Sequence, residues 1–221
     1  TYPVGRSPFR DAQYILGDVK DPCIFDVGAN VGQTLAEVLD HWPEARVHCF
    51  EPAASTLAGL NRVASGHAGV KVNSCALGAT SEEREFHEYD GATMHSFLLP
   101  GQDYAGVVTS TTRVQTDTLD EYCRRNQVDK IDVLKIDTQG FDLEVLKGAA
   151  SMLEGGKITM ILIELNFAEY YQGQVAPGAL IDHILSKQYL PLCFYPMIYR
   201  SGHGSWCDAM FLHRSHPIPS A

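Results

Sequence analysis

Two glycines around an asparagine are the first residues whose types and spacing point to ligand binding. Gly28, Asn30 and Gly32 follow a short apolar run and precede a helical pattern. Glycines at a turn from strand to helix let a ligand approach the backbone closely. The turn therefore predicts a binding site at the start of the second element.

The same turn argues against a dinucleotide as that ligand. The dinucleotide fingerprint G-x-G-x-x-G would place glycines at 28, 30 and 33, whereas this chain has Asn30 and Gln33. Because the glycine that would face a pyrophosphate is missing, we expect a ligand without one. S-adenosylmethionine fits, with its carboxylate and amine near the turn, and an NAD-dependent oxidoreductase is disfavoured.

A carboxylate follows the second apolar run at the spacing expected for ribose recognition. Glu51 stands in Phe50-Glu51-Pro52, and doubly wound folds place an acid on the ribose hydroxyls ~20 residues beyond the glycine turn. Alternatively, Glu51 only begins a helix. The turn and the acid together favour a cofactor that contains a nucleoside.

Two later carboxylates could take part in the chemistry itself. Asp137 follows the apolar run 133–136, and Glu164 lies in the run 160–165, one step before Asn166 on the same face. Ligands of open α/β sheets bind beyond the carboxyl ends of the strands, so we expect these groups to converge. Either Asp137 or Glu164 acts as a general base on a hydroxyl, or all three hold Mg²⁺, or they only cap helices and line the pocket. We favour the base, because no further oxygen ligand is evident.

Two histidines and one lysine complete the candidates. His95 lies in a polar segment over 91–106, interpreted as a loop or lid, and His203 lies in the glycine-rich turn 201–204. Either could reach a substrate as a base, although most loop histidines are simply exposed. Lys135 stands inside an apolar strand, where burial is costly without a partner, so we expect it to pair with a carboxylate.

The elements that must position these residues alternate between strand and helix. Strands are predicted at 23–27, 45–50, 70–75, 86–89, 112–116, 133–136 and 160–165. Helices are predicted at 33–39, 56–64, 118–126, 142–146 and 179–186. Such alternation is typical of right-handed βαβ units around a parallel sheet. Segments 192–195 and 209–213 predict a closing antiparallel hairpin.

Composition and charge limit the possible classes of protein. The 221 residues are 45% hydrophobic, which fits one domain with a large core. We divide it into a lead-in (1–22), a cofactor-binding core (23–166) and an acceptor-side helix with the closing hairpin (167–221). The net charge of -10 disfavours nucleic acid as a partner. No apolar stretch approaches the ~20 residues of a membrane span, so membrane insertion is not expected.

The cysteines bear on the compartment. Six cysteines are present without a CxxC pair, so we expect reduced thiols rather than a zinc site, in a cytoplasmic protein. The chain starts at Thr1 without a signal peptide pattern. Nothing in the sequence indicates an oligomeric state.

Several segments carry a resemblance to a known family. They are FDVGANVGQ at 25–33, FEP at 50–52, ALG at 76–78, VLKIDTQGFDLEVLKGA at 133–149 and IELN at 163–166. The chain resembles the FkbM family of methyltransferases, whose most specific feature is the K-I-D-x-x-G strand end followed by L-K-G-A. Gln139 departs from the pattern, because many relatives have glutamate there, so the role of position 139 stays open.

The resemblance implies both a fold and an activity. The fold is a doubly wound, mostly parallel seven-stranded α/β sheet of the class I methyltransferase (Rossmann-like) type, closed by a C-terminal antiparallel hairpin. The activity is S-adenosylmethionine-dependent methylation of a hydroxyl, often on a sugar, a glycolipid or a polyketide-type natural product of secondary metabolism. A metal-dependent form of the reaction and a non-catalytic cofactor-binding module are the alternatives.

The resemblance also assigns parts of the cofactor to residues. The glycine turn would hold the methionine part, Glu51 the ribose, and Ala76 with Leu77 would flank the adenine. The candidate cofactor-binding residues are Asp26, Gly28, Asn30, Gly32, Glu51, Ala76, Leu77 and Asp137.

Overall fold

Eleven strands and seven helices are found in the computed structural model, which describes residues 4–90, 94–104 and 106–218. The strands are β1 (Cys23–Val27), β2 (Arg46–Phe50), β3 (Val70–Asn73), β4 (Ala76–Leu77), β5 (Glu83–Tyr89), β6 (Val108–Asp117), β7 (Ile131–Ile136), β8 (Ile158–Asn166), β9 (Tyr189–Phe194), β10 (Ile198–Arg200) and β11 (His203–His213). The helices are α1 (Pro8–Leu16), α2 (Gln33–His41), α3 (Ala54–Ala64), α4 (Leu119–Asn126), α5 (Asp142–Lys147), α6 (Ala150–Glu154) and α7 (Pro177–Ser186).

The main sheet has five parallel strands and an antiparallel end. The parallel strands lie in the order β3-β2-β1-β7-β8, and β11 runs antiparallel beside β8. β9 and β10 share the outer edge of β11, with β9 beside 209–213 and β10 beside 203–206. The predicted mostly parallel sheet with a closing antiparallel hairpin is thus confirmed. Its described strands number eight, one more than predicted, because the long β11 pairs with two strands.

Helices cover both faces of this sheet because its central strands are apolar on both sides. Every residue of β1 is buried, and in β8 all but one are, as expected of strands inside a parallel sheet. One core cluster joins the sheet to α4, α5, α6 and α7, and the other joins it to α1, α2 and α3. Within the described ranges, no helix is long and apolar enough to cross a membrane.

Local sequence signals mark the starts of α4, which was predicted, and of α1, which was not. Thr118 caps α4, and its side chain accepts a hydrogen bond from the Glu121 backbone nitrogen at 3.2 Å, as the capping pattern predicts. The helix α1 was not predicted within the lead-in. The available signals were Pro8 at its first turn and the buried Phe9, Ala12 and Leu16 at helical spacing.

A small second sheet stands beside the carboxyl ends of the parallel strands. Its strand order is β4-β6-β5. The segment 94–104 crosses nearby and is tied to 169–172: Gly101 N donates to Tyr170 O at 2.7 Å, and Gln172 N donates to Leu99 O at 2.9 Å. Residues 91–93 and 105 of the predicted lid lie outside the described residues.

Candidate active site

A cavity of about 250 Å³ lies at the carboxyl ends of β1, β2 and β7. The small sheet and the 94–104 segment supply its remaining walls. The predicted site residues that line it are Gly28, Asn30, Glu51, Ala76, Leu77, His95 and Asp137. Ligand binding at this edge is the general behaviour of open α/β sheets.

The backbone of the glycine turn forms the floor of the cavity. Gly28 has a φ of +83°, and a Cβ atom there would lie 1.9 Å from the Asp137 carbonyl oxygen. Only glycine therefore permits β1 and β7 to approach so closely at this point. The backbone nitrogens of Gly28 and Ala29 donate to Phe50 O at 3.0 and 3.1 Å, which ties the turn to the end of β2.

Gly32 stands at the other end of the turn, outside the cavity lining. It is the N-cap of α2 with a φ of +96°. A Cβ atom there would lie 3.2 Å from the side chain of Val63. Gly32 therefore shapes the turn and lets α2 pack on α3.

Glu51 both begins the approach to α3 and lines the cavity. Its Oε2 accepts from Asn30 N at 2.7 Å, and its Oε1 accepts from Ala53 N at 2.8 Å. Burial raises the pKa of Glu51, and these backbone hydrogen bonds oppose that rise. Each carboxylate oxygen has a second lone pair, so the side chain can still accept hydrogen bonds from a ligand.

Lys135 is the cation at the centre of the site. Its Nζ lies 3.4 Å from Asp26 Oδ1, from Asp137 Oδ2 and from the Gly28 carbonyl oxygen. Burial lowers the pKa of Lys135, but the carboxylates of Asp137, Asp26 and Glu164 outweigh it and raise the pKa. The expected pairing of Lys135 with a carboxylate is confirmed.

Asp26 lies beneath the cavity and does not line it. It is fully buried, and burial raises its pKa. Its side chain is paired with Lys135, whose Nζ lies 3.4 Å from Asp26 Oδ1. Asp26 therefore acts on the cavity through Lys135.

Asp137 points its carboxylate into the cavity and is held from two sides. Gln139 Nε2 donates to its Oδ1 at 2.7 Å, and Lys135 Nζ lies 3.4 Å from its Oδ2. The side chain of Asp137 is 32% exposed, so it can meet a ligand. The structure thus brings Asp137 together with the glycine turn and Glu51.

Glu164 lies on the neighbouring strand, outside this cavity. It lines a separate small recess with Asn166 and Gln174, and Asn166 Nδ2 donates to its Oε1 at 2.8 Å. Burial and the nearby Asp137 raise the pKa of Glu164 well above its usual range. Asp208 of β11 stands directly opposite Glu164 across the strand pair.

The residues of the metal alternative are divided between two spaces: Asp137 lines the cavity, whereas Glu164 and Asn166 line the small recess. Asn166 presents its amide nitrogen, rather than its oxygen, to Glu164. Among residues 4–90, 94–104 and 106–218, no group of three or more His, Cys, Asp or Glu residues could hold a metal ion.

His95 lines the cavity as a hydrogen-bond donor. Its Nδ1 accepts from the Tyr89 backbone nitrogen at 3.0 Å, and its Nε2 lies 3.5 Å from Ser55 Oγ, which in turn donates to Glu88. Burial lowers the pKa of His95, against a smaller opposing effect of Glu88. A neutral imidazole whose Nδ1 accepts must carry its proton on Nε2, so neither nitrogen has a free lone pair for a substrate.

His203 is placed elsewhere. It is exposed at the start of β11, pairs with Arg200 of β10, and does not line the cavity. The prediction of His203 as a base is therefore not supported by the structure, because the short β10–β11 hairpin holds it at the outer edge of the sheet.

Two residues beside the site were not among the predicted site residues, although Tyr171 belongs to an aromatic-rich C-terminal third that suits an acceptor. Tyr171 is fully buried, and its hydroxyl lies 2.9 Å from Gln139 Oε1. Phe97 packs on Phe86 and Phe141 with ring centroids 5.1 and 4.6 Å apart, which gives the cavity an aromatic wall. The glycine at 140 and the aromatic bias of these segments were the only sequence signals for them.

Comparisons with known proteins agree with this geometry. Residues 26–191 match the family model described as the methyltransferase FkbM domain. The chain is 26% identical over 173 residues to 2-O-methyltransferase NoeI of Sinorhizobium fredii, which covers 73% of this chain and 70% of that protein. It is 37% identical over 101 residues to 31-O-demethyl-FK506 methyltransferase FkbM of Streptomyces tacrolimicus, covering 43% and 38%.

Solved structures share the fold at low sequence identity. An rRNA methylase from Streptococcus thermophilus has a TM-score of 0.55 at 10% identity, covering 96% of this chain and 98% of that chain. TrmK of M. capricolum, solved with S-adenosyl-homocysteine, has a TM-score of 0.51 at 12% identity, covering 94% and 69%. These likenesses show the class I methyltransferase fold alone.

Proposed function

Because the chain belongs to the FkbM methyltransferase family, and is an S-adenosylmethionine-dependent O-methyltransferase, we propose that its acceptor is a hydroxyl of a sugar, a glycolipid or a polyketide-type natural product. The acceptor class follows the relatives, which are named as O-methyltransferases. The observation that most supports methyl transfer at this site is the meeting of three groups in one cavity. The glycine turn, Glu51 and Asp137 come from the ends of three neighbouring strands and line the same space.

The residues present fit S-adenosylmethionine. Gly28 lines the cavity with its backbone alone, so it can face the methionine part, while Glu51 retains lone pairs for the ribose hydroxyls. Ala76, Leu77 and the aromatic wall offer an apolar surface to the adenine. When bound, the cofactor supplies an electrophilic methyl carbon on a sulfonium sulfur that leaves as a thioether.

Asp137 is the proposed general base. A sugar or aliphatic hydroxyl is a weak nucleophile near neutral pH and needs its proton removed during transfer. Asp137 Oδ1 and Oδ2 face the cavity with Gln139 and Lys135 holding them. Glu164 is second to it, because it lies outside the cavity and is already bonded to Asn166.

We also propose a small-molecule or glycan acceptor rather than nucleic acid, and a cytoplasmic location. A net charge of -10 gives little attraction for a phosphate backbone. All six cysteines are free thiols, as is usual in a reducing compartment.

Calorimetry followed by an acceptor screen tests the proposal. S-adenosylmethionine and S-adenosylhomocysteine should bind at one site per chain, and NAD should not. A screen of sugars, glycolipids and macrolide-like alcohols with methyl-labelled cofactor should then yield O-methylated products. Cofactor binding without transfer to any acceptor would favour the non-catalytic module. Activity lost to EDTA and restored by Mg²⁺ would favour the metal-dependent form.

A further inference from the structure

A chain of hydrogen bonds reaches from the interior of the protein to the proposed base. Tyr171, which is fully buried, places its hydroxyl 2.9 Å from Gln139 Oε1. The other end of that amide, Gln139 Nε2, donates to Asp137 Oδ1 at 2.7 Å. The three side chains therefore form one continuous path, although Tyr171 is 32 positions away from Gln139 in the sequence.

The direction of the Gln139 amide is determined by the Asp137 carboxylate. An ionised carboxylate can only accept, so it requires the donor Nε2 on its side. A rotated amide would bring Oε1 within 2.7 Å of Asp137 Oδ1, where two acceptors face each other without a proton. The single Tyr171 proton is shared between Gln139 Oε1 at 2.9 Å and the Met94 carbonyl oxygen at 2.8 Å, which is compatible with this orientation.

The backbone of Gln139 is held just as firmly. Ser96 Oγ donates to the Gln139 carbonyl oxygen at 2.7 Å, and Gln139 adopts a left-handed φ of +54°. That conformation is uncommon for a residue with a side chain and needs support from its surroundings. The Tyr171 hydroxyl also lies 2.8 Å from the Met94 carbonyl oxygen, so the 94–104 segment contacts Gln139 through Ser96 and Tyr171 through Met94.

We propose that Gln139 is a positioning residue for methyl transfer: its amide orients the Asp137 carboxylate into the cavity, and contacts from Ser96 and Tyr171 hold Gln139 in place. This rests on the proposed function, because it assigns a support to the base named there. This assigns a role to position 139, which is to donate a hydrogen bond to Asp137. A glutamate could donate that bond only when it is protonated.

The charged and titratable groups around Asp137 set the electrostatic environment of its carboxylate in the test. The groups that face Asp137 from the surrounding elements are Asp26 of β1, Lys135 of β7, Asp142 of α5, Glu164 of β8, Tyr171 and Asp208 of β11. None of them changes in the variants at position 139, so a shift there reports on the amide itself.

The experiment follows the ¹³C signal of the Asp137 carboxyl carbon through a pH titration, assigned with Asp137→Asn. Gln139→Met removes the donor and should move the titration midpoint upward by about 1 pH unit, because the ionised form loses a hydrogen bond. Gln139→Glu adds a like charge and should move it upward further. Tyr171→Phe should give a smaller upward shift, since Gln139 then loses one of the contacts that hold its side chain in place.

The control is Gln172→Glu, which adds the same charge at an exposed position whose amide donates to Pro100 O. It should leave the midpoint unchanged. A midpoint within about 0.3 pH units of the wild type in every position-139 variant that folds would overturn the proposal. Thermal unfolding shows which variants fold, and one folded variant at position 139 suffices for the decision.

Activity and cofactor affinity separate this inference from the proposed function. With an acceptor from the screen, Gln139→Glu should approach wild-type kcat near pH 5 and lose about tenfold or more at pH 8, with the KM for the cofactor little changed. Unshifted midpoints together with normal S-adenosylhomocysteine binding would refute the role of Gln139 alone. Shifted midpoints without S-adenosylhomocysteine binding would refute the proposed function and leave the amide contact intact.

Discussion

The two ends of the cavity are built in different ways. At the cofactor end, the turn from Gly28 to Gly32 lies within a few consecutive residues, and its backbone is tied to the end of β2. At the other end, called the base end after the role proposed for Asp137, Gln139 holds the Asp137 carboxylate. Gln139 is itself held by the distant Tyr171 and Ser96. One end uses local backbone geometry, and the other uses a network that exists only in the folded protein.

This difference predicts how each end responds to substitution. The cofactor end should lose affinity when its single acidic side chain is removed, while the turn itself persists. Substitutions at the base end should lower the rate of methyl transfer, because a misplaced carboxylate weakens proton transfer without weakening cofactor binding. Measuring affinity and rate separately therefore tests the comparison directly.

Asp137→Asn should give the largest effect. The substitution keeps the shape and removes the proton acceptor, and loss of a general base typically lowers the rate by ~10²–10⁴. Methyl transfer with labelled cofactor measures it, and S-adenosylhomocysteine affinity should fall much less. Glu164→Gln is the matched control and should retain most of the activity. Full activity in Asp137→Asn would send the search for the base to Glu164.

The same contrast explains how much the sequence could tell. The turn, Glu51 and the central strands were predictable because each depends on short-range patterns: an apolar run, a glycine at positive φ, and an acid at a known spacing. The contact between Gln139 and Tyr171 was not predictable, because neither residue type nor spacing marks a pair brought together by the fold. For the same reason His203 was placed at the site, although the β10–β11 hairpin carries it to the edge of the sheet.

Glu51→Ala should have the next largest effect. Removing hydrogen bonds to a charged group costs roughly 1.5–3 kcal/mol, which is about 10- to 100-fold in affinity. Titration calorimetry with S-adenosylhomocysteine measures the loss, and thermal unfolding shows whether the bonds to Asn30 and Ala53 also stabilise the turn. The exposed Glu82→Ala is the control. Unchanged affinity would mean that Glu51 serves only the start of α3.

Asp208→Asn tests the electrostatics of the base end. Burial and the nearby Asp137, partly opposed by Lys135, raise the pKa of Asp208 to about 6. The ionised form is therefore costly in the folded state, so the free energy of unfolding falls as pH rises from about 4 to about 6 and stays lower above that. Asp208→Asn should remove this loss and stabilise the protein by about 1–3 kcal/mol at pH 8, with little effect below pH ~4.

Urea unfolding at several pH values measures this difference. The exposed Asp129→Asn should show no comparable pH dependence. If Asp208→Asn instead destabilises the protein at pH 8, the carboxylate makes a favourable contact there and the base end carries less electrostatic strain than the structure indicates.

His95→Asn should have the smallest effect on turnover. An asparagine can still accept the Tyr89 backbone N–H with its oxygen and present its amide nitrogen as a donor, which are the two roles that His95 fills in the structure. If His95 is a donor in the cavity wall, kcat/KM should fall by less than about tenfold, the scale of one neutral hydrogen bond. The pH–rate profile should keep its shape, because no group that loses a proton during transfer has been removed. A loss of a hundredfold or more, with an acid limb that disappears, would identify His95 as the base and move the chemistry from the network around Asp137 to the 94–104 segment.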